Sequence, residues 1–250
     1  MPLPTIGIPT YEATIPSTGK PIKFRPFLVK EEKILLLALE TGDKKAQYRA
    51  LKQILTNCIL DKVDVNILSA YDIEYLFIQI RGKSVGEVLE PVVVCPNCKT
   101  QGKMKIDLRD VSVKRQADVE IPFKVMFTDK VGITLIYPSL EIVENCDPGD
   151  AVGKANKGDS DTIFKIIVKC IDSIFDGDQI FNPKDYTEKE LTSFIEGVPS
   201  ESFKKVIDFI SEMPRVEKDV KFRCPMCSYE KDMTLRGIED FFGTVSPTIA

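Results

Sequence analysis

Apolar positions along this chain recur at helical spacing in some stretches and alternate with polar positions in others, so the sequence predicts both helices and strands. Helical spacing and capping residues predict helices that begin near Lys30, Lys44, Ser69, Pro138, Ser160, Thr187 and Ser200, with a short one within 236–242. Alternation predicts strands at 22–27 and 133–137, two or three more between 105 and 134, and one on each side of two cysteine pairs. The predicted fold class is α+β and mainly helical.

Three details of these helices can be compared directly with a structure. The helix that begins at Lys30 carries five aliphatic residues between 34 and 39, which is too many for one face, so more than one side is predicted to be buried. The helix that begins at Ser69 is predicted to stop at Gly82. The helix that begins at Ser160 is predicted to keep Ile171 and Ile174 on its buried side.

The N-terminal segment has a different character. Five prolines fall within residues 1–21, and each proline fixes its own backbone and lacks an N–H donor. This segment is therefore predicted to be an extended, largely exposed arm. Two interpretations remain open for it: a disordered terminus, or an arm that becomes ordered on a neighbouring subunit.

The most specific chemical feature is a Cys-Pro-x-Cys sequence that occurs twice, at Cys95 and Cys98 and again at Cys224 and Cys227. Two pairs with this spacing supply the four thiolates of a tetrahedral zinc site, and the chain contains no histidine that could replace one of them. Four sulfur ligands leave no position for water, which favours a structural zinc ion over a catalytic one. The sequence therefore predicts one structural zinc ion bound by these four cysteines.

Two other interpretations of the cysteine pairs were weighed. Redox-active dithiols use Cys-Pro-x-Cys at the start of a helix, whereas strand-forming residues flank both pairs here. A relic site that no longer binds metal is the other alternative. The remaining cysteines are predicted to pack in the core, because Cys58 and Cys170 fall on apolar helix faces and Cys146 lies near a helix end.

The surroundings of the two cysteine pairs also match. Each pair has an apolar residue two positions before its first cysteine, a methionine nine after it and an aliphatic residue eleven after it, namely Val93, Met104 and Ile106, and Phe222, Met233 and Leu235. Upstream, apolar residues match at a constant offset of 112, whereas the cysteine pairs match at 129. An internally duplicated unit is therefore predicted, with 17 additional residues in the second copy, placed in Phe175–Asp185.

The predicted organisation has four segments. They are the extended proline-rich arm (1–21), a first copy of the helical unit with its zinc knuckle (22–110), connecting strands (111–132) and a second copy with its zinc knuckle (133–250). The two knuckles are predicted to be β-hairpins that meet at the four-cysteine zinc site. One ion is thus predicted to join the two copies.

Composition excludes several classes of function. With 43% hydrophobic and 29% charged residues, the 250-residue chain is typical of a globular protein with a sizeable core. No stretch approaches the roughly 18 uncharged apolar residues of a membrane span, and no export signal begins the chain, so we expect a cytosolic protein without membrane contact. Without histidine the usual serine and cysteine hydrolase triads are unavailable, and no other group of residues has the pattern of an active site, so an enzyme is not expected.

Nucleic acid is disfavoured as a general partner by the net charge of −4. A local exception remains as the second functional hypothesis, a zinc-ribbon nucleic-acid-binding or transcription-associated module. Its candidate contacts are the basic residues around the two pairs, with two aromatic residues nearby: Lys99, Lys103, Lys105, Lys221, Arg223, Lys231, Phe222 and Tyr229. A thiol oxidoreductase is the third hypothesis.

Two longer stretches carry a resemblance to a known family. The run Ile-Pro-Ser-Thr-Gly-Lys-Pro-Ile-Lys-Phe-Arg-Pro-Phe-Leu-Val-Lys-Glu-Glu-Lys (15–33), and then Tyr-Leu-Phe-Ile-Gln-Ile-Arg-Gly-Lys-Ser-Val-Gly-Glu (75–87) leading into Cys95, resemble the baseplate hub subunit and hub assembly proteins of T-even-type contractile-tail bacteriophages. The resemblance implies a non-enzymatic structural or assembly protein whose partners are other baseplate hub and tail proteins. It also implies a protein made in the host bacterial cytoplasm that acts in assembly or remains in the virion tail baseplate.

Overall fold

The computed structural model describes residues 6–114, 119–139, 141–142, 160–236 and 241. Its α-helices are α1 (Val29–Glu40), α2 (Lys44–Cys58), α3 (Ala70–Val85), α4 (Ser160–Cys170), α5 (Glu188–Glu196) and α6 (Ser200–Ser211). Its strands are β1 (Tyr11–Thr14), β2 (Pro21–Phe24), β3 (Val88–Leu89), β4 (Val92–Val94), β5 (Gln101–Lys103), β6 (Ile106–Asp107), β7 (Ser112–Lys114), β8 (Phe123–Met126), β9 (Val131–Leu135), β10 (Ile171–Asp176), β11 (Gln179–Phe181), β12 (Arg215–Arg223) and β13 (Glu230–Arg236). The predicted mixture of helix and sheet is confirmed.

The chain divides into two compact units. Unit 1 combines Met1–Lys114 with Arg215–Ala250, and unit 2 is Arg115–Pro214. Strand β12 pairs with β7 and β13 in one three-stranded antiparallel sheet, so the chain leaves unit 1 after β7 and returns to it at β12. The segment boundaries predicted from the sequence place the two cysteine pairs in different copies. The contacts of the folded chain place all four cysteines in unit 1.

Unit 1 begins with the antiparallel hairpin β1–β2, in which Tyr11 lies opposite Phe24. Helix α2 packs against both α1 and α3. The predicted apolar stripe of α2 and the residue after it is confirmed, because all its members are buried: Leu51, Ile54, Leu55, Cys58 and Ile59. The main-chain N–H of Arg25 donates to the carbonyl of Cys58 at 2.9 Å, which joins the end of β2 to the end of this helix.

Two buried carboxylates near helix starts hold unit 1 together. Glu31 accepts hydrogen bonds from the Arg25 guanidinium at 3.0 Å and from the Leu28 N–H at 2.9 Å. Burial alone would raise the pKa of Glu31, but these two donors outweigh it and hold the pKa below its usual value. Asp72, in the first turn of α3, accepts the Ser17 N–H at 2.8 Å and so fastens the β1–β2 turn to this helix.

Unit 2 is built on a four-stranded antiparallel sheet in the order β11-β10-β9-β8. Its buried core joins the sheet to α4, α5 and α6, and includes Ile133, Leu135, Ile167, Leu191 and Val206. The predicted capping box of α5 is present: the Thr187 side chain accepts from the Glu190 N–H, and the Glu190 carboxylate accepts from the Thr187 N–H. Helix α6 begins one residue from the predicted cap, with Pro199 in the N-cap position.

Three expectations about helices were wrong. Leu36 and Leu37 on α1 remain 54% and 52% exposed, so this helix does not bury the second face that its composition predicts. Helix α3 continues through Gly82 and ends at Gly86, where φ is +135° and only glycine is unstrained. Ile171 and Ile174 belong to β10, because the backbone there pairs with β9 instead of continuing α4.

The N-terminal segment is only in part a free arm. Residues 6–10 are exposed and have no regular structure, but 11–14 form β1 and pair with β2. Of the helix predicted to open at Pro138 and Ser139, residues 138 and 139 are not helical and residues 141 and 142 are. Residues 140 and 143–145 lie outside the described residues, as does most of the short helix predicted within 236–242. The segment Phe175–Asp185, predicted as an inserted loop, forms the end of β10, all of β11 and a 3₁₀ turn.

The buried Arg25–Glu31 pair gives the first testable prediction. Replacing Arg25 by methionine leaves the Glu31 carboxylate buried beside only the exposed Lys30, whose Nζ is 3.5 Å from it. We expect a loss of about 3 kcal/mol in the free energy of unfolding, measured by urea titration. Lys30→Met is the control, with a change expected below about 1 kcal/mol; equal losses in both variants would contradict the assignment.

Candidate metal centre

The two cysteine pairs lie in the turns of two antiparallel hairpins. The first cysteine hairpin is β4–β5, with Val93 opposite Gly102, and the second is β12–β13, with Phe222 opposite Lys231. The predicted order of strand, cysteine turn and returning strand is therefore confirmed for both pairs.

The turns of the two hairpins have the same backbone geometry. In the first, the Cys95 N–H donates to Thr100 at 2.9 Å, and the Lys99 N–H donates back to Cys95 at 2.9 Å. In the second, the Cys224 N–H donates to Tyr229 at 2.8 Å, and the Ser228 N–H donates back to Cys224 at 3.1 Å. The residue after the second cysteine has a positive φ in each case, +60° at Lys99 and +56° at Ser228.

This geometry brings the four sulfur atoms together. All four Sγ atoms lie within 4.8 Å of one another. Cys95 Sγ is 3.7 Å from Cys227 Sγ, and Cys98 Sγ is 3.5 Å from Cys224 Sγ. A zinc ion with bonds of about 2.3 Å to four sulfurs in a tetrahedron separates them by about 3.8 Å, and the Cys95–Cys227 and Cys98–Cys224 distances are close to this value. A disulfide needs about 2.05 Å, and neither distance approaches this value.

The thiols differ in their electrostatic surroundings. Burial raises the pKa of the Cys95 thiol to about 11. Hydrogen bonds from the Thr100 side chain and backbone lower the pKa of Cys98 to about 6. The pKa of Cys227 is lowered, chiefly by a hydrogen bond from the Tyr229 backbone. Metal coordination requires thiolates, so binding of an ion is coupled to release of the protons that remain on the cluster.

A single apolar core supports both hairpins. Cys95 and Cys224 are buried in it, while Cys98 is half-buried and Cys227 is exposed. The residues that match between the two cysteine pairs all contact this core; Val93, Met104, Ile106, Phe222 and Leu235 are buried in it and Met233 packs against it. The shared pattern around the cysteines is therefore the pattern of side chains that anchor each hairpin.

Gly102 lets the two hairpins approach closely. A Cβ atom on Gly102 would lie 2.9 Å from Cδ of Pro225 and 3.2 Å from the ring of Phe222, both on the second hairpin. The absence of a side chain at position 102 of β5 is thus a condition for the meeting of the sulfurs. The residue that matches Gly102 at the offset of 129 is Lys231, so the repeat gives no sign of this requirement.

Two further residues next to the cluster were not identified from the sequence. The Asn97 amide donates to Cys227 Sγ at 3.6 Å, which is a contact from the first hairpin to the second. Thr100 is the source of the bonds that favour the Cys98 thiolate. The sequence signal that could have indicated Asn97 is its place between the two cysteines of the first pair. Thr100 has no such signal, because Tyr229 occupies the matching position in the second hairpin.

The basic residues considered for nucleic-acid binding are largely engaged with carboxylates of the same hairpins. Lys103 and Lys105 lie 4.0 Å and 3.7 Å from Glu90. Lys221 and Arg223 lie 2.7 Å and 3.7 Å from Glu230. Phe222 is buried and cannot stack on a base. The described surface around the cluster therefore carries a mixture of positive and negative charges.

Comparison with known proteins identifies the family of the chain. A family model described as T4 bacteriophage base plate protein matches residues 8–243, which include both cysteine hairpins and all of unit 2. The chain belongs to the T4 bacteriophage base plate protein family. The resemblance seen in the sequence is confirmed.

A curated relative covers nearly the same length. The chain is 23% identical over 233 residues to the baseplate hub assembly protein gp26 of Enterobacteria phage T4, and the match covers 93% of this chain and 97% of that protein. No solved structure matches the chain. Among the described helices of this T4 base plate family member, none is both long enough and apolar enough to cross a bilayer.

The sulfur cluster predicts how the protein responds to loss of one ligand. Cys224→Ser removes a buried thiolate, and we expect a lower metal content and a lower melting temperature, because metal binding contributes to the folding free energy. Metal content is measured by mass spectrometry of the native protein, and melting is followed with and without a chelator. Cys58→Ala, which changes a buried cysteine outside the cluster, is the control and is expected to retain the metal. Equal melting temperatures of the wild-type protein with and without chelator would contradict the prediction.

Gly102 provides a second prediction for the site. Gly102→Ala places a methyl group against Pro225 and Phe222, and we expect a loss of about 1–3 kcal/mol in the free energy of unfolding together with weaker metal retention in a chelator titration. Gly7→Ala is the matched control, because a Cβ there contacts nothing within 4 Å. An unchanged chelator titration for Gly102→Ala would show that the hairpins do not need this close approach.

Proposed function

We propose that this chain is a non-enzymatic structural or assembly protein of a contractile-tail baseplate hub, stabilised by one structural zinc ion bound to Cys95, Cys98, Cys224 and Cys227. The observation that carries the proposal is the meeting of four sulfurs, within 4.8 Å of one another, in a member of the T4 base plate family. The partners are other hub and tail proteins of the same phage. The protein is made in the host bacterial cytoplasm and acts in the baseplate or during its assembly.

A structural role for the ion follows from the ligands and from their positions in the chain. Four thiolates complete a zinc tetrahedron and leave no place for a substrate or water. Cys98 and Cys224 are 126 residues apart in sequence, so an ion that binds both closes a long loop which contains unit 2. Closing such a loop restricts the unfolded chain more than it restricts the folded one, and this difference stabilises the fold.

The internal duplication is part of the proposal, and several local features support it. The cysteine turns have the same hydrogen bonds and the same positive φ. Helices α2 and α4 both end at a cysteine, and the carbonyl of each cysteine accepts a main-chain N–H from the residue after a strand. The donors are Arg25 in unit 1 and Ile136 in unit 2, each at 2.9 Å. Strands β1 and β8 lie at the offset of 112 found in the sequence. We infer that the two units descend from one, with the second cysteine hairpin now packed in unit 1.

The competing functions receive less support. A redox dithiol is expected at a helix start, but both pairs lie in turns between antiparallel strands. A nucleic-acid module is expected to present unopposed positive charge, but Lys103, Lys105, Lys221 and Arg223 lie beside Glu90 and Glu230. The mixed surface charge is typical of a protein that contacts other proteins.

Deletion of the gene in a phage that encodes this chain tests the proposed function. We expect particles without complete baseplate hubs, seen by electron microscopy, and a loss of infectious titre that a plasmid copy restores. A plasmid copy with Cys224→Ser is expected to restore much less titre than one with Cys58→Ala, because only the former removes a zinc ligand. In vitro, the protein is expected to co-purify with hub proteins and not to shift a labelled oligonucleotide. Normal hubs in the deletion phage would refute the proposal.

A further inference from the structure

Unit 2 contains an open apolar pocket that none of its described elements fills. Its volume is about 440 Å³, which is within the range of binding pockets. It lies between the ends of β9, β10 and β11 and the first turns of α5, and apolar side chains such as Phe181, Leu191 and Phe194 line it. Tyr186 and Glu190 are at its exposed side.

The start of α5 in unit 2 and the start of α3 in unit 1 share one local motif. An Asp or Asn caps a 3₁₀ turn, a Ser or Thr follows five residues later as the helix N-cap, and an acid three residues further on completes a capping box. These residues are Asp64, Ser69 and Asp72 in unit 1, and Asn182, Thr187 and Glu190 in unit 2, at one constant offset of 118. Ile73 of α3 therefore corresponds to Leu191 of α5, and Leu68 corresponds to Tyr186.

The two motifs differ in what covers them. In unit 1 the turn between β1 and β2 comprises residues 15–20, and it lies against α3: Ile15 is only 3% exposed, and the Ser17 N–H donates to Asp72. In unit 2 the corresponding turn between β8 and β9 comprises only residues 127–130. Leu68 is buried in unit 1, whereas its counterpart Tyr186 is 43% exposed in unit 2. The shorter turn packs Phe127 against Phe194 of α5, with ring centroids 6.1 Å apart, and among the described residues the pocket beside Tyr186 stays open.

The covering segment of unit 1 indicates what the pocket accepts. Its sequence is Ile15-Pro16-Ser17, which supplies a buried aliphatic side chain and, two residues later, a main-chain donor for the acid of the capping box. The proline has no N–H, so the third residue is the first available donor after the isoleucine. The matching segment for unit 2 therefore needs an aliphatic residue followed by proline and a residue with a free N–H.

The exposed N-terminal segment of the chain has this sequence, as Ile8-Pro9-Thr10. Residues 6–10 are exposed, have no regular structure and end where β1 begins, and Ile8 is 42% exposed. We propose that Ile8-Pro9-Thr10 of a second copy of this chain docks into the unit 2 pocket, with Ile8 in the apolar cavity and the Thr10 N–H donated to the Glu190 carboxylate. Two copies then associate head to tail, through different surfaces on each.

The electrostatics of the pocket agree with a main-chain donor as its polar partner. The Glu190 carboxylate accepts hydrogen bonds from the Thr187 backbone and side chain, and these lower its pKa. The carboxylate is therefore charged at neutral pH and, with two oxygens, can accept a further N–H. Asp176 also lines the pocket and adds a second carboxylate, while Lys124 Nζ lies 4.5 Å from the ring centre of the lining residue Phe175.

Self-association of the full chain tests this interface. We expect the sedimentation coefficient of the wild-type protein to rise with concentration, and that of Ile8→Ser to remain at the monomer value. Ile67→Ser, which changes an exposed isoleucine outside the arm, is the control and is expected to associate like the wild type. A wild-type protein that is monomeric at every concentration, or an Ile8→Ser variant that associates normally, would overturn the proposal.

A peptide probe tests the pocket separately from the arm. A fluorescent peptide with the sequence of residues 4–12 is titrated with full-length Ile8→Ser protein, whose own arm no longer competes, and anisotropy is measured. We expect saturable binding, weakened about tenfold or more when the peptide carries Ile8→Ser, because an isoleucine side chain is no longer buried. Tyr186→Ser in the protein is expected to weaken binding as well, with circular dichroism showing that the variant is folded. Equal binding of the two peptides, or no binding of either, would refute the docking.

Discussion

The arrangement of unit 1 depends on the convergence of four sulfur atoms from two distant hairpins. Residues 95–98 and 224–227 meet at one point only if the second hairpin returns to the core from which the first one starts. The pairing of β12 with β7 achieves this return, and it places the two ends of the intervening 100-residue unit at neighbouring strands. An inserted unit whose two ends are adjacent does not disturb the sheet into which it is inserted. The sequence of unit 2 can therefore interrupt the sequence of unit 1.

The hairpins are held in place by packing as well as by sulfur. Val93 and Phe222 anchor the two strands that lead into the cysteine turns, and Gly102 removes the side chain that would hold the hairpins apart. Apolar contacts therefore support the two turns, which share the same pattern of backbone hydrogen bonds and bring their thiols within 4.8 Å of one another.

Capping-box acids have a second role in both units. Asp72 completes the cap of α3 and also accepts a main-chain N–H from the β1–β2 turn, 55 residues away. Glu190 completes the cap of α5 and faces an open pocket. The same local motif thus joins a hairpin turn to a helix in unit 1 and is available to an external segment in unit 2. The two turns differ by two residues in length: the longer one donates the Ser17 N–H to Asp72, whereas the shorter one packs Phe127 against Phe194 of α5.

The sequence by itself determined the elements with strong local signals: the apolar stripe of α2, the Thr187 and Glu190 cap of α5, and the two cysteine hairpins with their anchoring residues. The resemblance to the baseplate family is confirmed, whereas zinc binding by the four clustered cysteines stays a prediction. Only the tertiary structure decided that β12 pairs with β7, that Ile171 continues as a strand, and that Gly102 is the close contact between the hairpins. These depend on partners far away in the chain, and a local pattern of apolar residues does not specify which distant surface will cover it.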